Sequence, residues 1–200
     1  NITELNFKII RINFEINRLL NESYRKKSEL TNQYNSYEPL HKWFIEIPAQ
    51  NDYQPHSMEI KIPELDLGYY IILSSPDPGF NPDSSLVAFA PFRISNISYV
   101  SRKDDHGAYQ VHVLDRESGE AIPEALSRIY YRNYDYSTRK YEYIGGEVFT
   151  SDENGYFEIP PAGGASNYRS FHLEIVSDQD TLTTDDHFYR TTYQEPTQKA

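Results

Sequence analysis

Two turn phrases constrain this chain more than any other feature: DRESGEAIPEA at residues 115–125 and TSDENGYF at residues 150–157. Each holds a small polar residue followed by glycine, Ser118-Gly119 and Asn154-Gly155, where the chain can reverse through a positive φ. Tyr109-Gln-Val-His-Val ahead of the first phrase alternates with period two, as a half-buried strand does. Residues 156–159 (YFEI) after the second form another short strand. Strands bounded by such turns at short intervals belong to β-sandwiches.

Composition agrees. The 200 residues include 18 Tyr and 10 Phe against one Met and one Trp, with 12 Pro. That bias favours strands over helices, and the length suits one large or two small domains. A net charge of −11 argues against nucleic acid, which needs a basic face, and against anionic membrane surfaces. The absence of cysteine excludes disulfides, thiolate metal sites and Cys nucleophiles. No apolar run approaches the roughly 20 residues of a membrane span. The chain opens on Asn1 with no signal peptide. It is therefore expected to be a piece of a longer protein, with any export signal or membrane anchor outside it.

Along the chain, residues 2–12 read as a strand with Leu5, Phe7 and Ile9 on one face. Residues 14–30 switch to helical spacing through Ile16, Leu19, Leu20 and Tyr24, a helical insertion. Residues 32–39 read as a polar linker. Trp43, Ile45 and Ile47 alternate in one strand, and Met58, Ile60 and Ile62 in a second, with a turn at 51–55 between them. Residues 68–74 form a continuous apolar run, expected of a central strand, and residues 75–82 a loop. Residues 86–94 contain Pro91, which suits an edge or a bulge. The strand rhythm restarts near residue 97. Strands are expected at 97–100, 108–114, 128–134, 140–144, 147–150, 156–159, 168–176 and 181–189. The fold class is therefore all-β: two tandem macroglobulin/immunoglobulin-like β-sandwich domains, residues 1–97 and 98–190, followed by an extended tail at 191–200.

Four segments, in order, resemble the N-terminal part of large bacterial alpha-2-macroglobulin-like proteins: residues 43–48 (WFIEIP), 52–57 (DYQPHS), 62–70 (IPELDLGYY) and 92–98 (FRISNIS). The two turn phrases resemble an element shared by macroglobulin, transthyretin-like and adhesion modules, and residues 186–190 (DHFYR) are similar to the approach to a later macroglobulin domain. The likeness runs over residues 40–190. It implies serial β-sandwich domains in a protein that traps proteases by rearranging after a bait region is cut. Many members carry a Cys-Gly-Glu-Gln thioester. Without cysteine that group cannot lie here, and no functional residue of the family maps onto this chain.

Reactive constellations are sparse. His112 and His172 fall out of phase with their apolar neighbours, so both are expected on solvent faces. Asp104-Asp-His106 and Asp185-Asp-His187 are the best metal-like clusters, but each is local and loop-borne, and solvated turns are preferred to Ca²⁺ sites. Asp152-Glu-Asn-Gly155 lacks the alternating acids of a calcium loop and reads as an Asx turn. There is no G-x-S-x-G, H-E-x-x-H or phosphate loop. No carboxylate pair can be singled out for glycosidase chemistry. Sequons at Asn1, Asn21 and Asn96 matter only in a eukaryotic secretory host. The unusual local feature is a tyrosine-rich hairpin: Tyr130, Tyr131, Tyr134, Tyr136, Tyr141 and Tyr143. These rings form either an interaction surface or, the preferred reading, the half-buried cover of the sandwich or of a neighbouring domain.

The sequence thus points to non-catalytic shell domains of a bacterial, extracytoplasmic protease trap, periplasmic or cell-surface, with no cofactor or metal. Its partners would be other domains of the same long chain and, through the whole protein, target proteases. The rival reading is an adhesion or carbohydrate-binding module that uses the 130–143 hairpin.

Overall fold

The computed structural model describes all residues except 1, 14–26, 49–53, 55, 138, 163–168, 185–187 and 191–200. Most of the expected helical insertion, most of the turn at 51–55, the Asp185–His187 cluster, the tail and the sequons at Asn1 and Asn21 lie outside the described residues. Two compact units are present, Asn1–Ile94 and Ser95–Ala200.

The first unit is one antiparallel sheet with a helix. Strands β1 (Glu4–Ile12), β2 (His41–Glu46), β3 (Gly68–Ser75) and β4 (Ala88–Ile94) lie in the order β2-β1-β3-β4. The apolar run of β3 takes a central place, where both of its edges are paired. Pro91, which has no N–H to give, sits on edge strand β4 opposite Ile71, without a break in register. β1 carries apolar residues on both faces. Phe7 stacks on Trp43 of β2 at 5.3 Å. On the opposite face Ile10 and Ile12 join Ile71, Leu73, Phe80 and Val87 in the core.

Helix α1 (Lys27–Asn35) runs five residues past the expected end at residue 30 and occupies the first half of the expected linker. The cause is packing. Leu30 lies against the core, Thr31 and Tyr34 are fully buried at helical spacing, and Tyr34 meets Phe89 edge-on at 5.0 Å. The helix end is tied down from both sides. Lys8 Nζ donates to Asn35 Oδ1 at 2.5 Å, and Asn35 Nδ2 donates to the Phe80 carbonyl at 2.8 Å.

The expected strand around Met58–Ile62 does not form. β2 pairs with β1 alone, and residues 56–66 join no ladder. Met58 is exposed, and Lys61, Ile62, Pro63 and Glu64 line an open pocket with Trp43. Alternation alone cannot make a strand when no partner edge receives it.

The second unit is a two-sheet sandwich. Its three-stranded sheet contains β5 (Ile97–Lys103), β6 (Tyr109–Asp115) and β9 (Tyr156–Ile159). The other sheet runs β11-β10-β7-β8, built from β7 (Leu126–Asp135), β8 (Lys140–Thr150), β10 (Arg169–Ser177) and β11 (Asp180–Thr183). A short β12 (Phe188–Arg190) also pairs with β10. Ile97, Val111, Val113, Phe157 and Ile159 from one sheet pack against Ile129, Phe171, Leu173, Ile175 and Phe188 from the other. Two expectations change. The strands at 140–144 and 147–150 merge into β8, which accommodates Gly145-Gly146 through a register shift opposite Arg128/Tyr130. The single strand expected at 181–189 is two strands, β11 and β12, lying on successive stretches of β10.

Candidate interaction site

The two turn phrases close on each other. Asp115 Oδ1 accepts the amides of Glu117 and Ser118 and the Ser118 hydroxyl, and Gly119 follows at φ 74°. The bonds from Ser118, backbone first and then hydroxyl, hold the Asp115 carboxyl below its ordinary range. Asp152 Oδ1 does the same in the second phrase, accepting the amides of Asn154 and Tyr156. Ser151 joins the phrases. Its Oγ accepts the buried Ala125 amide at 2.9 Å and donates to the Ile122 carbonyl at 2.8 Å. Both turns are structural, and Asp152 forms the expected Asx turn. Asp104 is another: its Oδ1 accepts the amides of His106 and Ala108, both at 2.9 Å. Among the described residues no three His, Cys, Asp or Glu side chains gather as a metal site, and no helix is long and apolar enough to cross a membrane.

The tyrosines divide between two faces. β10 pairs with β7 only over Leu126–Tyr131, while the β7–β8 ladder continues to Asp135–Lys140. Beyond Tyr131 the hairpin is therefore, among the described residues, a two-stranded arm. Tyr130, Tyr134, Tyr141 and Tyr143 share its outer face, by the alternation of β7 and β8. Tyr134 meets Tyr141 at 4.9 Å and Tyr136 at 5.1 Å, both edge-on. Arg132 lies 3.7 Å above the Tyr141 ring. Tyr136 is 86% exposed. A sugar platform presents open ring faces, whereas here one face of Tyr141 is occupied by a guanidinium.

Tyr130 and Tyr143 have another task, which corrects the expectation for His172. That residue does face away from Phe171 and Leu173, but it is only 6% exposed. Tyr130 stacks on its ring at 5.4 Å and 12°, and Tyr143 meets it edge-on at 4.7 Å. The outer face of the sheet is roofed by tyrosines, and sequence phase does not reveal a roof. His112 stays exposed as expected, beside Tyr156 at 5.2 Å.

Tyr131 points to the inner face and meets Phe171 edge-on at 6.1 Å. Its hydroxyl donates to Glu147 Oε2 at 2.7 Å and accepts from Arg190 Nη1 at 2.5 Å, and Arg190 Nη1 also donates to Glu147 Oε1 at 2.6 Å. Burial would raise the Glu147 pKa, but the bonds from Arg190 and Tyr131 outweigh it and bring it down to about 2. Burial and the bond to Glu147 push the Tyr131 hydroxyl up. Sequence reasoning missed this cluster. Its members lie 43 and 59 residues apart along the chain, and the one available signal was an arginine directly after Phe188-Tyr189 at a strand end.

Over 92% of its length the chain resembles native alpha-2-macroglobulin from Escherichia coli spanning domains NIE-MG1, with a TM-score of 0.58 and 14% identity, covering 84% of that chain. It resembles the MG0-NIE-MG1 structure of the same protein with a TM-score of 0.60 and 14% identity, again over 92% of its length, but spans only 55% of that longer chain. The fold is alpha-2-macroglobulin-like. No family model and no curated protein matches the sequence. The resemblance carried by residues 43–48, 52–57, 62–70 and 92–98 thus finds its counterpart in a macroglobulin-like β architecture.

Proposed function

We propose that this chain supplies non-catalytic structural domains of a large bacterial alpha-2-macroglobulin-like protease inhibitor. The observation that carries the reading is the likeness to the NIE-MG1 segment over 92% of the chain. The tightly closed turns of the second unit and the roofed outer face of its sheet support it, because a shell domain has to hold its shape while neighbours move. The chain is not an enzyme in this reading. It works outside the cytoplasm of a bacterium, against other domains of the same polypeptide, and meets target proteases only through the whole protein. Its net charge of −11 gives it no role with nucleic acid.

Incubation with a serine protease and a metalloprotease tests the reading. The 200-residue chain should inhibit neither, whereas the polypeptide encoded by its gene should inhibit at least one in a way that depends on cleavage of a bait segment. Stoichiometric inhibition by the 200 residues alone, or a gene that encodes no further macroglobulin-like domains, would overturn it.

A further inference from the structure

Strand β12 is three residues long and makes three ladder pairs, Arg169–Arg190, Ser170–Tyr189 and Phe171–Phe188. A ladder that short has little stability of its own. Yet Phe188 and Arg190 are both buried, because the attachment is made by side chains. Phe188 fills the end of the core between the two sheets, stacked on Phe171 at 5.3 Å and edge-on to Tyr109 at 5.2 Å. The next residue is held by the three-stranded sheet: Lys103 Nζ donates to the Tyr189 carbonyl at 3.1 Å, and the Tyr189 amide donates to Tyr109 Oη at 3.2 Å. Arg190 reaches the opposite way. It takes Glu147 and Tyr131 on the five-stranded sheet, and its Nε donates to the carbonyl of Pro160, just past β9, at 2.7 Å.

One short strand thereby ties both sheets together at one end of the sandwich. Its strongest bonds are the charge-assisted ones from a single guanidinium. We propose that β12 is a strap closing this end of the sandwich, with Arg190 as its latch, and that it opens as a local unit while the rest of the second unit stays folded. Opening withdraws Phe188 and uncovers an aromatic slot formed by Phe171, Tyr109 and Tyr99. The fold thus contains a segment whose displacement exposes core without global unfolding. This holds whether or not the chain serves in a protease trap.

Native-state hydrogen exchange on the full 200-residue chain is the test. In the wild type, amides of residues 169–171 and 188–190 should exchange through an opening distinct from that of Val111 and Ile129. Arg190→Gln should speed exchange at the strap by about tenfold or more, the loss expected for a charge-assisted bond, while the strap amides keep exchanging through an opening whose urea dependence is well below that of Val111 and Ile129. Arg190→Lys should behave like Arg190→Gln, since an ammonium cannot reproduce the fork that reaches three acceptors. Should Arg190→Gln fail to fold, Glu147→Gln removes the charged acceptor and should give a smaller acceleration at the strap, with the same weak urea dependence. Strap amides that exchange with the same urea dependence as Val111 and Ile129, or no acceleration at the strap, would overturn the proposal.

Discussion

The amide of Val113 donates to the carbonyl of Gly155 at 2.8 Å, and a Cβ at Gly155 would lie 2.3 Å from the carbonyl oxygen of Val113. The second turn phrase is thus pressed against the strand that leads into the first. Gly155 also has φ 70°. Gly155→Ala combines an unfavourable backbone region with a clash against main chain that cannot move aside, so a loss of about 3 kcal/mol or more is expected in urea denaturation. Gly119→Ala is the contrast. Gly119 has φ 74° but open space around it, so it should lose only about 1 kcal/mol.

Ser151→Ala should cost about 2–3 kcal/mol at equilibrium. The substitution strands the amide of Ala125, which is fully buried, and an unsatisfied buried donor carries its whole desolvation penalty. Ser151→Thr keeps the oxygen and should recover part of the loss. Equal stability of wild type and Ser151→Ala would show that water replaces the hydroxyl.

These turns were legible because their chemistry is local: a carboxylate two residues before an amide, and a glycine where φ must be positive. Pro91 on an edge and the phase of Trp43 and Ile45 were legible for the same kind of reason. What failed was anything set by distant neighbours. Met58, Ile60 and Ile62 alternate as well as Trp43 and Ile45 do, yet no edge pairs with them. His172 has the phase of a surface residue and lies beneath Tyr130 and Tyr143. Tyr34 falls in the expected polar linker, and contacts made across the fold bury it, as they bury Arg190 just past the last expected strand. Alternation tells which side a residue faces, not what covers that side.

Glu147 makes stability pH-dependent. Its carboxyl titrates at about 2 in the folded chain against an ordinary 4.5. Folding favours the ionised form, so the stabilisation is complete above about pH 4.5 and is lost as pH falls towards 2. The full linkage would be roughly 3 kcal/mol, but the Glu147 side chain is 50% exposed, and solvent screening reduces the expectation to about 1 kcal/mol. Urea denaturation of wild type and Glu147→Gln should show a clear gap at pH 7 that narrows at pH 3. A gap independent of pH would place the effect in packing instead.

Lys8 lies inside the first unit. Its ammonium is held by Asn35 and sits 4.6 Å above the Phe80 ring centre. Burial, assisted by Lys42, lowers its pKa. The unfolded chain therefore binds the proton more tightly, and stability rises as pH climbs from the lowered folded value towards 10.5. Lys8→Met keeps the apolar stem without the charge and should be at least as stable as wild type at pH 7, by up to about 1 kcal/mol. That advantage should shrink near pH 10. A strongly destabilised Lys8→Met would mean that the bond to Asn35 outweighs the burial cost.

The tyrosine arm separates the shell reading from an adhesion module. Tyr134 meets two rings, and among the described residues only β8 pairs with β7 at its position. Tyr134→Ser should loosen the arm, at a cost of about 1 kcal/mol. Tyr136 is 86% exposed, and Tyr136→Ser should leave stability within about 0.5 kcal/mol of wild type. In the shell reading neither substitution affects ligand binding, because Arg132 already occupies a face of Tyr141 and the remaining contacts are edge-on. A glycan array probed with the wild-type chain should show no specific signal. A saturable signal that is lost in the Tyr134→Ser/Tyr136→Ser double variant, while the fold survives by circular dichroism, would make the arm a binding surface and the adhesion module the better account.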